Sequence, residues 1–178
     1  MPFELLQSET IYRGRAFTIR RDHLRTPDGR ITKYDIVVHH GSVVLIPIDE
    51  DGNLLFVRQY RHAAREDLLE LPAGTLDEGE EPEACARREI REETGLAAAE
   101  LTCLGGFYLA PGYSTEYMTV YLATGLHPDP LEADADEFLH LEAVPIPEAL
   151  RMAEDGTIPD AKSLAALFLA RPHLERFL

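Results

Sequence analysis

The segment at residues 74–96, GTLDEGEEPEACARREIREETGL, constrains this chain more than any other part of its sequence. Glu89, Glu92 and Glu93 have the spacing i, i+3 and i+4, so a helix places their carboxylates side by side on one face. A proline suits the first turn of a helix and a glycine suits the residue after its last turn, which predicts a helix over residues 82–94. The segment therefore indicates a helix with a concentrated negative charge.

Neighbouring carboxylates repel one another, and a bound divalent cation would offset that repulsion. Mg²⁺ prefers carboxylate oxygens and water as its ligands. Glu80 precedes the helix and can add a fourth carboxylate, while Arg88 and Arg91 are placed to hold the outer oxygens of the ligands. Gly74 lets the backbone approach a ligand closely. The alternative for an E-x-x-E-E cluster by itself is an ordinary solvated helix face, so the wider spacing has to decide between the two.

The wider spacing is G-x5-E-x7-R-E-U-x-E-E-x-G-U, where U is apolar. Every defined position is occupied as the pattern requires: Gly74, Glu80, Arg88, Glu89, Ile90, Glu92, Glu93, Gly95 and Leu96. The segment resembles the signature of the Nudix hydrolases in full. That resemblance implies an α/β protein with the Nudix fold, an α/β/α sandwich with a mixed sheet. It also implies hydrolysis of a nucleoside diphosphate linked to a further group, with Mg²⁺ or Mn²⁺ as cofactor and two or more ions per site.

Other stretches are similar to the ADP-ribose pyrophosphatase branch of that family. Pro111 stands 15 residues after Leu96, a spacing that marks the branch, and APGYSTE at residues 110–116 resembles its Pro-Gly-aromatic-Ser loop. VRQYR at residues 57–61 and LELPAG at residues 69–74 resemble the strand and the segment that lead into the signature segment at residues 74–96, which is called the box below. The resemblance implies hydrolysis of the pyrophosphate of ADP-ribose to AMP and ribose 5-phosphate.

Two alternatives stay open at this point. The first is the same chemistry on another nucleoside diphosphate compound, such as the nucleotide sugar GDP-mannose, FAD or a dinucleotide. The second belongs to another class, a non-catalytic sensor that binds ADP-ribose and regulates transcription. The complete set of box glutamates and the lack of a basic helix-turn-helix segment in the sequence weigh against the sensor.

The resemblance also implies roles for particular residues in catalysis. The groups that would bind the metal ions are the Ala73 carbonyl, Glu89, Glu92 and Glu93. Glu137 ends the acidic stretch at residues 129–137, and it would activate water or bind a metal from a loop that closes over the substrate. If none of the loop acids matters, Glu92 is the next candidate for the general base.

Five further residues are candidates for contacts with the substrate. Tyr34 can stack on the base, and Pro111 and Gly112 belong to the loop that marks the branch. Arg58 and Arg61 lie at the end of a strand that is predicted to be buried, where a guanidinium can bind a pyrophosphate through two hydrogen bonds. For Tyr34 the alternative is packing within the sheet. For the two arginines the alternative is salt bridges with nearby acids: Glu66, Asp67 and Glu70.

The remaining sequence predicts strands and helices consistent with an α/β protein. Alternating runs at residues 17–24 and 31–39 flank TPDGR, whose Asp-Gly pair is a strong hairpin signal. Apolar runs that begin at Val43 and at Leu54, within residues 43–48 and 54–60, predict a second hairpin of strands that are covered on both faces. The other predicted elements are strands at 101–109, 117–123 and 138–144, and helices at 147–154 and 161–170, the last capped by Asp160.

The composition limits the classes of partner. Seventeen Lys and Arg against 32 Asp and Glu give a net charge of −15, which disfavours binding to nucleic acid or to an anionic membrane surface. The N-terminus has no signal-peptide pattern, so we expect a cytoplasmic protein. We expect residues 1–40 to form a β region for dimerisation and substrate binding, and residues 41–178 to form the catalytic domain. We expect a homodimer because a small hairpin cannot bury its own apolar face.

Overall fold

The structure is a computed structural model that describes residues 2–15, 17–132 and 138–175. Within these residues the chain forms ten strands and three helices. Their bounds are β1 Glu4–Arg13, β2 Thr18–Arg25, β3 Ile31–Val38, β4 Ser42–Pro47, β5 Asn53–Arg61, β6 Glu66–Glu70, β7 Ala73–Thr75, α1 Pro82–Thr94, β8 Leu96–Tyr108, β9 Tyr117–Pro128, β10 Leu139–Pro145, α2 Ile146–Glu154 and α3 Ala161–Leu174.

The chain divides into two compact units, and the first comprises residues 1–41 and 108–117. In it β1, β2 and β3 form an antiparallel sheet in that order. The predicted hairpin of β2 and β3 is confirmed, because the two strands pair along their length and the Gly29 amide donates to the Thr26 carbonyl at 2.9 Å in the turn. Gly29 has a φ of 88°, which glycine adopts without steric cost.

Strand β1 was not among the predicted elements. It is exposed along its whole length, so no face of it is buried. Its sequence therefore lacks the alternation of apolar and polar residues that predicts a strand. Apolar side chains on it are nevertheless open to solvent, with Leu5 57% exposed and Tyr12 54% exposed. The edge strand of the first unit therefore exposes four apolar side chains, those of Leu5, Leu6, Ile11 and Tyr12, among polar ones.

The second unit comprises residues 42–107 and 118–178 and contains two sheets, ordered β7-β4-β9-β8 and β10-β5-β6. Strand β4 is parallel to β9 and antiparallel to β7, so the predicted mixed sheet is confirmed. The predicted second hairpin is wrong, because β4 and β5 belong to different sheets and an isolated bridge between Ile48 and Leu54 joins their ends. Both strands are apolar on two faces, and each takes a neighbour on either side within its own sheet.

The two faces of β4 explain how the second unit is layered. Val44 and Ile46 point into a core that includes residues of α2 and α3, whereas Val43 and Leu45 point into a separate core with Cys85, Ala86 and Ile90 of α1. Successive side chains of a strand alternate between the faces of a sheet, so one continuous apolar run serves both cores. This arrangement places the acidic helix α1 directly against the sheet that contains β7.

The helices of the second unit begin and end close to the predicted positions. Helix α1 spans Pro82–Thr94 as predicted, and Gly95 ends it in the left-handed conformation with its amide bonded to the Arg91 carbonyl at 3.1 Å. Asp160 caps α3 as predicted, by accepting a hydrogen bond from the Ser163 amide. In the described part of the chain, no helix is long and apolar enough to cross a membrane.

Candidate active site

The strand β7 lies against the acidic face of α1 at very short range. The Ala73 amide donates a hydrogen bond of 2.9 Å to the Glu93 carboxylate. A Cβ built on Gly74 would lie 1.8 Å from the Glu89 carboxyl carbon, so the Glu89 side chain occupies the space that any other residue would need. Glu89 is 8% exposed and Glu93 is 9% exposed. Gly74 therefore leaves the room in which the Glu89 carboxylate packs against the backbone of β7.

Arg88 connects three of the box carboxylates through one guanidinium. Its Nη1 donates to Glu89 at 2.7 Å and to Glu92 at 2.8 Å. Its Nε and Nη2 donate to the two oxygens of Glu80 at 3.1 and 2.8 Å, and Nη2 also reaches the Thr75 carbonyl at 3.2 Å. The bonds to Glu80, Glu89 and Glu92 raise the pKa of Arg88 further above its ordinary value. The expected role of Arg88, to hold the outer oxygens of the carboxylates, agrees with these contacts.

Glu80 and Arg91 have contacts that the sequence did not indicate. The hydrogen bonds from Arg88 lower the pKa of Glu80 from 4.5 to about 2, and the Asp77 amide adds a bond of 3.0 Å. Glu80 is thus bound to the guanidinium through both oxygens. The sequence predicts that Arg91 holds the box carboxylates, but Arg91 instead donates to the Asp129 carbonyl at 3.0 Å and forms an ion pair with the Asp129 side chain.

The donor chemistry of this cluster fits a hard divalent cation. The carboxylates of Glu80, Glu89 and Glu92 are bonded to the one guanidinium of Arg88, so these four groups together carry excess negative charge. The Glu93 carboxylate, on the same helix, accepts from the Ala73 amide. Carboxylate oxygens in excess negative charge are the environment that Mg²⁺ and Mn²⁺ prefer. With Arg88 between the carboxylates, no three His, Cys, Asp or Glu side chains of the described residues stand ready to hold an ion as they are. An ion would therefore compete with the guanidinium for the same oxygens.

The two candidate arginines of β5 form salt bridges. Arg58 donates to both oxygens of Glu142 on β10, at 2.5 and 3.2 Å. Arg61 donates to both oxygens of Glu70 on β6, at 2.8 and 2.6 Å. These bonds raise the pKa of each arginine, and for Arg61 the charge of Glu93 contributes as well. Arg61 therefore lies within electrostatic reach of the box, and its pairing with Glu70 is the alternative that the sequence left open.

The other candidate residues lie in the first unit or outside the described chain. Tyr34 lies on β3 and is 41% exposed. Pro111 and Gly112 belong to a turn in which the Ser114 amide donates to the Ala110 carbonyl at 2.9 Å. Glu137 is outside the described residues.

Sequence reasoning missed a buried cluster at the start of α3. Ser163, which is 0% exposed, accepts a hydrogen bond of 2.8 Å from the amide of Leu71, just before the box strand. Lys162 forms an ion pair with Glu70, which is 1% exposed. The Asp160 cap is predictable from the sequence. The partners of Lys162 and Ser163 are not, because Glu70 and Leu71 lie 92 residues away along the chain.

Comparisons with known proteins match two family models to two successive parts of the chain. The model of the NUDIX domain matches residues 38–167, and the model of the nucleoside diphosphate sugar hydrolase N-terminal domain matches residues 3–37. The chain is 42% identical over 172 residues to an ADP-ribose pyrophosphatase of Mycobacterium tuberculosis, which covers 93% of this chain and 81% of the relative. It is 35% identical over 164 residues to an ADP-ribose pyrophosphatase of Bacillus subtilis, which covers 91% of this chain and 89% of the relative.

A solved structure supports the fold in the same way. A crystal structure of an ADP compounds hydrolase superposes with a TM-score of 0.88 at 30% sequence identity. The superposition covers 99% of this chain and 96% of that chain. The predicted fold class is therefore confirmed over nearly the full length of both proteins.

Proposed function

This chain belongs to the NUDIX domain family, and from that premise we propose that it hydrolyses the pyrophosphate of ADP-ribose to AMP and ribose 5-phosphate. The observation that carries the substrate is the 42% identity, over 93% of this chain, to a relative named ADP-ribose pyrophosphatase. The carboxylate cluster on α1 supports the reaction class, because pyrophosphate hydrolysis depends on cations that offset the charge of the phosphates.

The proposed reaction consumes one water per pyrophosphate. The water oxygen forms a bond to one phosphorus, the bond from that phosphorus to the bridging oxygen breaks, and the bridging oxygen leaves as part of the second phosphate. The proton that the water loses passes to a general base. Attack at either phosphorus gives AMP and ribose 5-phosphate, and only the product that receives the water oxygen differs.

We propose Mg²⁺ or Mn²⁺ as the cofactor, with two or more ions per site. Four groups would hold the ions: the Ala73 carbonyl, Glu89, Glu92 and Glu93. When bound, such ions offset the charge that gathers on the phosphate oxygens and lower the pKa of a bound water. The protein supplies the positions of these groups, through the bond from the Ala73 amide to Glu93 and the packing of Glu89 on Gly74.

We propose Glu137 as the general base, with Glu92 as the alternative. For the substrate we propose Arg61, because the charge of Glu93 acts on it and a guanidinium so close to the box is suited to a phosphate oxygen. Arg58 is held by Glu142, and we propose for it the weaker role of orienting β10 next to β5. Tyr34 offers an exposed ring for stacking on a base, and the turn with Pro111 and Gly112 is proposed to border the substrate.

We also propose that the protein is a homodimer in which the sheet of the first unit forms part of the interface. Strand β1 is the edge of that sheet and is exposed throughout, with Leu5, Ile11 and Tyr12 among its apolar residues. An exposed apolar edge strand is normally covered by another chain or protected by charge. A second copy of this chain is the partner that the proposal commits to.

A substrate panel with product identification tests the proposed function. Purified protein is incubated with Mg²⁺ and, in separate reactions, ADP-ribose, GDP-mannose, FAD or a diadenosine polyphosphate, and the products are separated by anion-exchange chromatography. We expect AMP and ribose 5-phosphate from ADP-ribose at the highest kcat/KM of the panel. The control is Glu93→Gln, which replaces a metal-binding carboxylate with an amide and should lower kcat at least about 100-fold.

Two results would contradict the proposal in different ways. A higher kcat/KM on another compound of the panel would move the protein to a different substrate within the same chemistry. Tight binding of ADP-ribose in a calorimeter, without turnover at any metal concentration, would favour the sensor.

A further inference from the structure

We propose that Ser163, at the start of α3, is a positioning residue for the metal site: it fixes the backbone of residues 71–73 so that Ala73 meets Glu93 in the geometry that binds the ion. The proposal rests on the proposed function, because it takes the metal site at Ala73 and Glu93 as given. The link is not visible in the box itself, since Ser163 is 92 residues from its partner in the chain.

The first step is the contact between Ser163 and Leu71. The Ser163 hydroxyl accepts a hydrogen bond of 2.8 Å from the Leu71 amide, and both residues are 0% exposed. A buried amide that loses its partner has no water to replace it, so this contact fixes the backbone at Leu71 strongly. The hydroxyl itself is oriented, because it donates to Asp160 at 2.6 Å.

The second step is the short path from Leu71 to the box. The Pro72 carbonyl accepts a bond of 2.8 Å from the Leu45 amide, and the Ala73 amide donates a bond of 2.9 Å to Glu93. Three consecutive residues are thus each held by a different element, which are α3, β4 and α1. If the hydrogen bond between Leu71 and Ser163 is lost, the backbone at Leu71 can shift. The bonds of Pro72 to Leu45 and of Ala73 to Glu93 must then adjust, so the shift reaches the contact with Glu93.

The third step is the charge next to Leu71. Glu70 is 1% exposed and accepts hydrogen bonds from Arg61 and Lys162. Burial alone would raise the pKa of Glu70, but the bonds from these two cations outweigh it, so the pKa is lowered and the group stays ionised. Lys162 also contacts Asp160 at 2.9 Å. The start of α3 therefore holds Glu70 by charge and Leu71 by a hydrogen bond, and both act on the segment that enters the box.

The consequence is that the hydroxyl of Ser163 contributes to metal affinity without contacting the metal. Residues outside the ligand set that orient the ligands typically change metal affinity 10- to 100-fold when removed. Ser163→Ala removes the acceptor for Leu71 and changes the identity of none of the proposed metal-binding residues. We expect it to weaken the binding of Mn²⁺ about tenfold.

The experiment measures Mn²⁺ binding directly by electron paramagnetic resonance, with free Mn²⁺ titrated against wild-type protein and variants in the absence of substrate. The matched control is Leu167→Val, which trims a buried apolar side chain of the same helix and has no polar atom to offer Leu71. Ser163→Thr keeps a hydroxyl and should return the affinity to within about threefold of wild type. Hydrogen exchange of the Leu71 amide should be faster in Ser163→Ala than in the control.

The outcomes separate this inference from the proposed function. Mn²⁺ affinity in Ser163→Ala that stays within about twofold of Leu167→Val, at a similar melting temperature, overturns the positioning role. A wild-type protein that binds no Mn²⁺, or a Glu93→Gln variant that binds it as tightly as wild type, overturns the metal site itself and the inference with it. If Ser163→Ala does not fold, Ser163→Cys carries the same comparison, because its sulfur is a weaker acceptor for the Leu71 amide and its side chain is of similar size.

Discussion

Replacing Gly74 with alanine should displace the Glu89 carboxylate while the protein stays folded. A Cβ at this position would lie 1.8 Å from the carboxyl carbon and one oxygen of Glu89, whereas ordinary contacts begin at 3.4 Å. The carboxylate must therefore move by 3.4 − 1.8 = 1.6 Å. The group that has to move is the far end of a flexible side chain, so the clash is relieved by a rotation of Glu89 and not by a shift of the strand.

The expected effects on stability and on activity differ because of this geometry. Gly74 is not among the residues with positive φ, so alanine fits its backbone and reduces the freedom of the unfolded chain. We expect the free energy of unfolding to change by less than about 1 kcal/mol. We expect a displacement of more than 1 Å in this proposed metal-binding group to cost about 100-fold in rate, which corresponds to about 2.7 kcal/mol of transition-state stabilisation.

The assay compares kcat/KM on ADP-ribose and the melting temperature for four proteins: wild type, Gly74→Ala, Glu89→Ala and the double variant. If Gly74→Ala acts by moving the carboxylate, it should cost little in the Glu89→Ala background, where no carboxylate remains to be moved. Full additivity of the two losses would refute the reasoning, as would a Gly74→Ala variant that keeps wild-type turnover.

Four further predictions concern other residues and the assembly of the protein. Glu80→Gln should lower the free energy of unfolding by about 1–3 kcal/mol at pH 7. Because the pKa of Glu80 is lowered from 4.5 to about 2, the difference in unfolding free energy between the two proteins is complete above pH 4.5 and disappears as the pH falls towards 2. Urea unfolding of both proteins across this pH range measures it. Glu137→Gln should lower kcat by roughly 10²–10⁴-fold with a small change in KM, while Asp134→Asn should do little; a sensitive Asp134 would show that the base was assigned a few residues too late. Light scattering at micromolar concentration should give the mass of a dimer, and a Tyr34→Ala variant should raise KM more than it lowers kcat; a monomer would exclude the proposed interface.

The extent of α1 was predictable from sequence because its boundary signals are local. Pro82 and Gly95 act through their own backbone conformations, and neither needs a distant partner to do so. The acidic face followed from spacing alone, since the helical period decides which side chains are neighbours. The same holds for the hairpin around Gly29, where the turn residues and the alternating runs are adjacent in the chain.

What could not be predicted depends on partners that are distant in the chain. A continuous apolar run indicates a buried strand but does not say which strand lies beside it, so residues 43–48 and 54–60 were paired with each other when each belongs to its own sheet. Arg58 lies 84 residues from Glu142, and the acids considered from sequence were only its near neighbours. The hydroxyl of Ser163 gave no signal at all, because its partner is a backbone amide that every residue except proline carries.

The single guanidinium of Arg88 has a consequence for how this site can be redesigned. Since it is bonded to Glu80, Glu89 and Glu92 at once, a substitution at any one of the four positions changes the environment of the other three. Libraries that vary these positions one at a time will find mostly losses, whichever metal or substrate they select for. Variants with new metal preferences should instead emerge from libraries that randomise the four codons together, so that a new cation and a new set of acids are sampled as one unit.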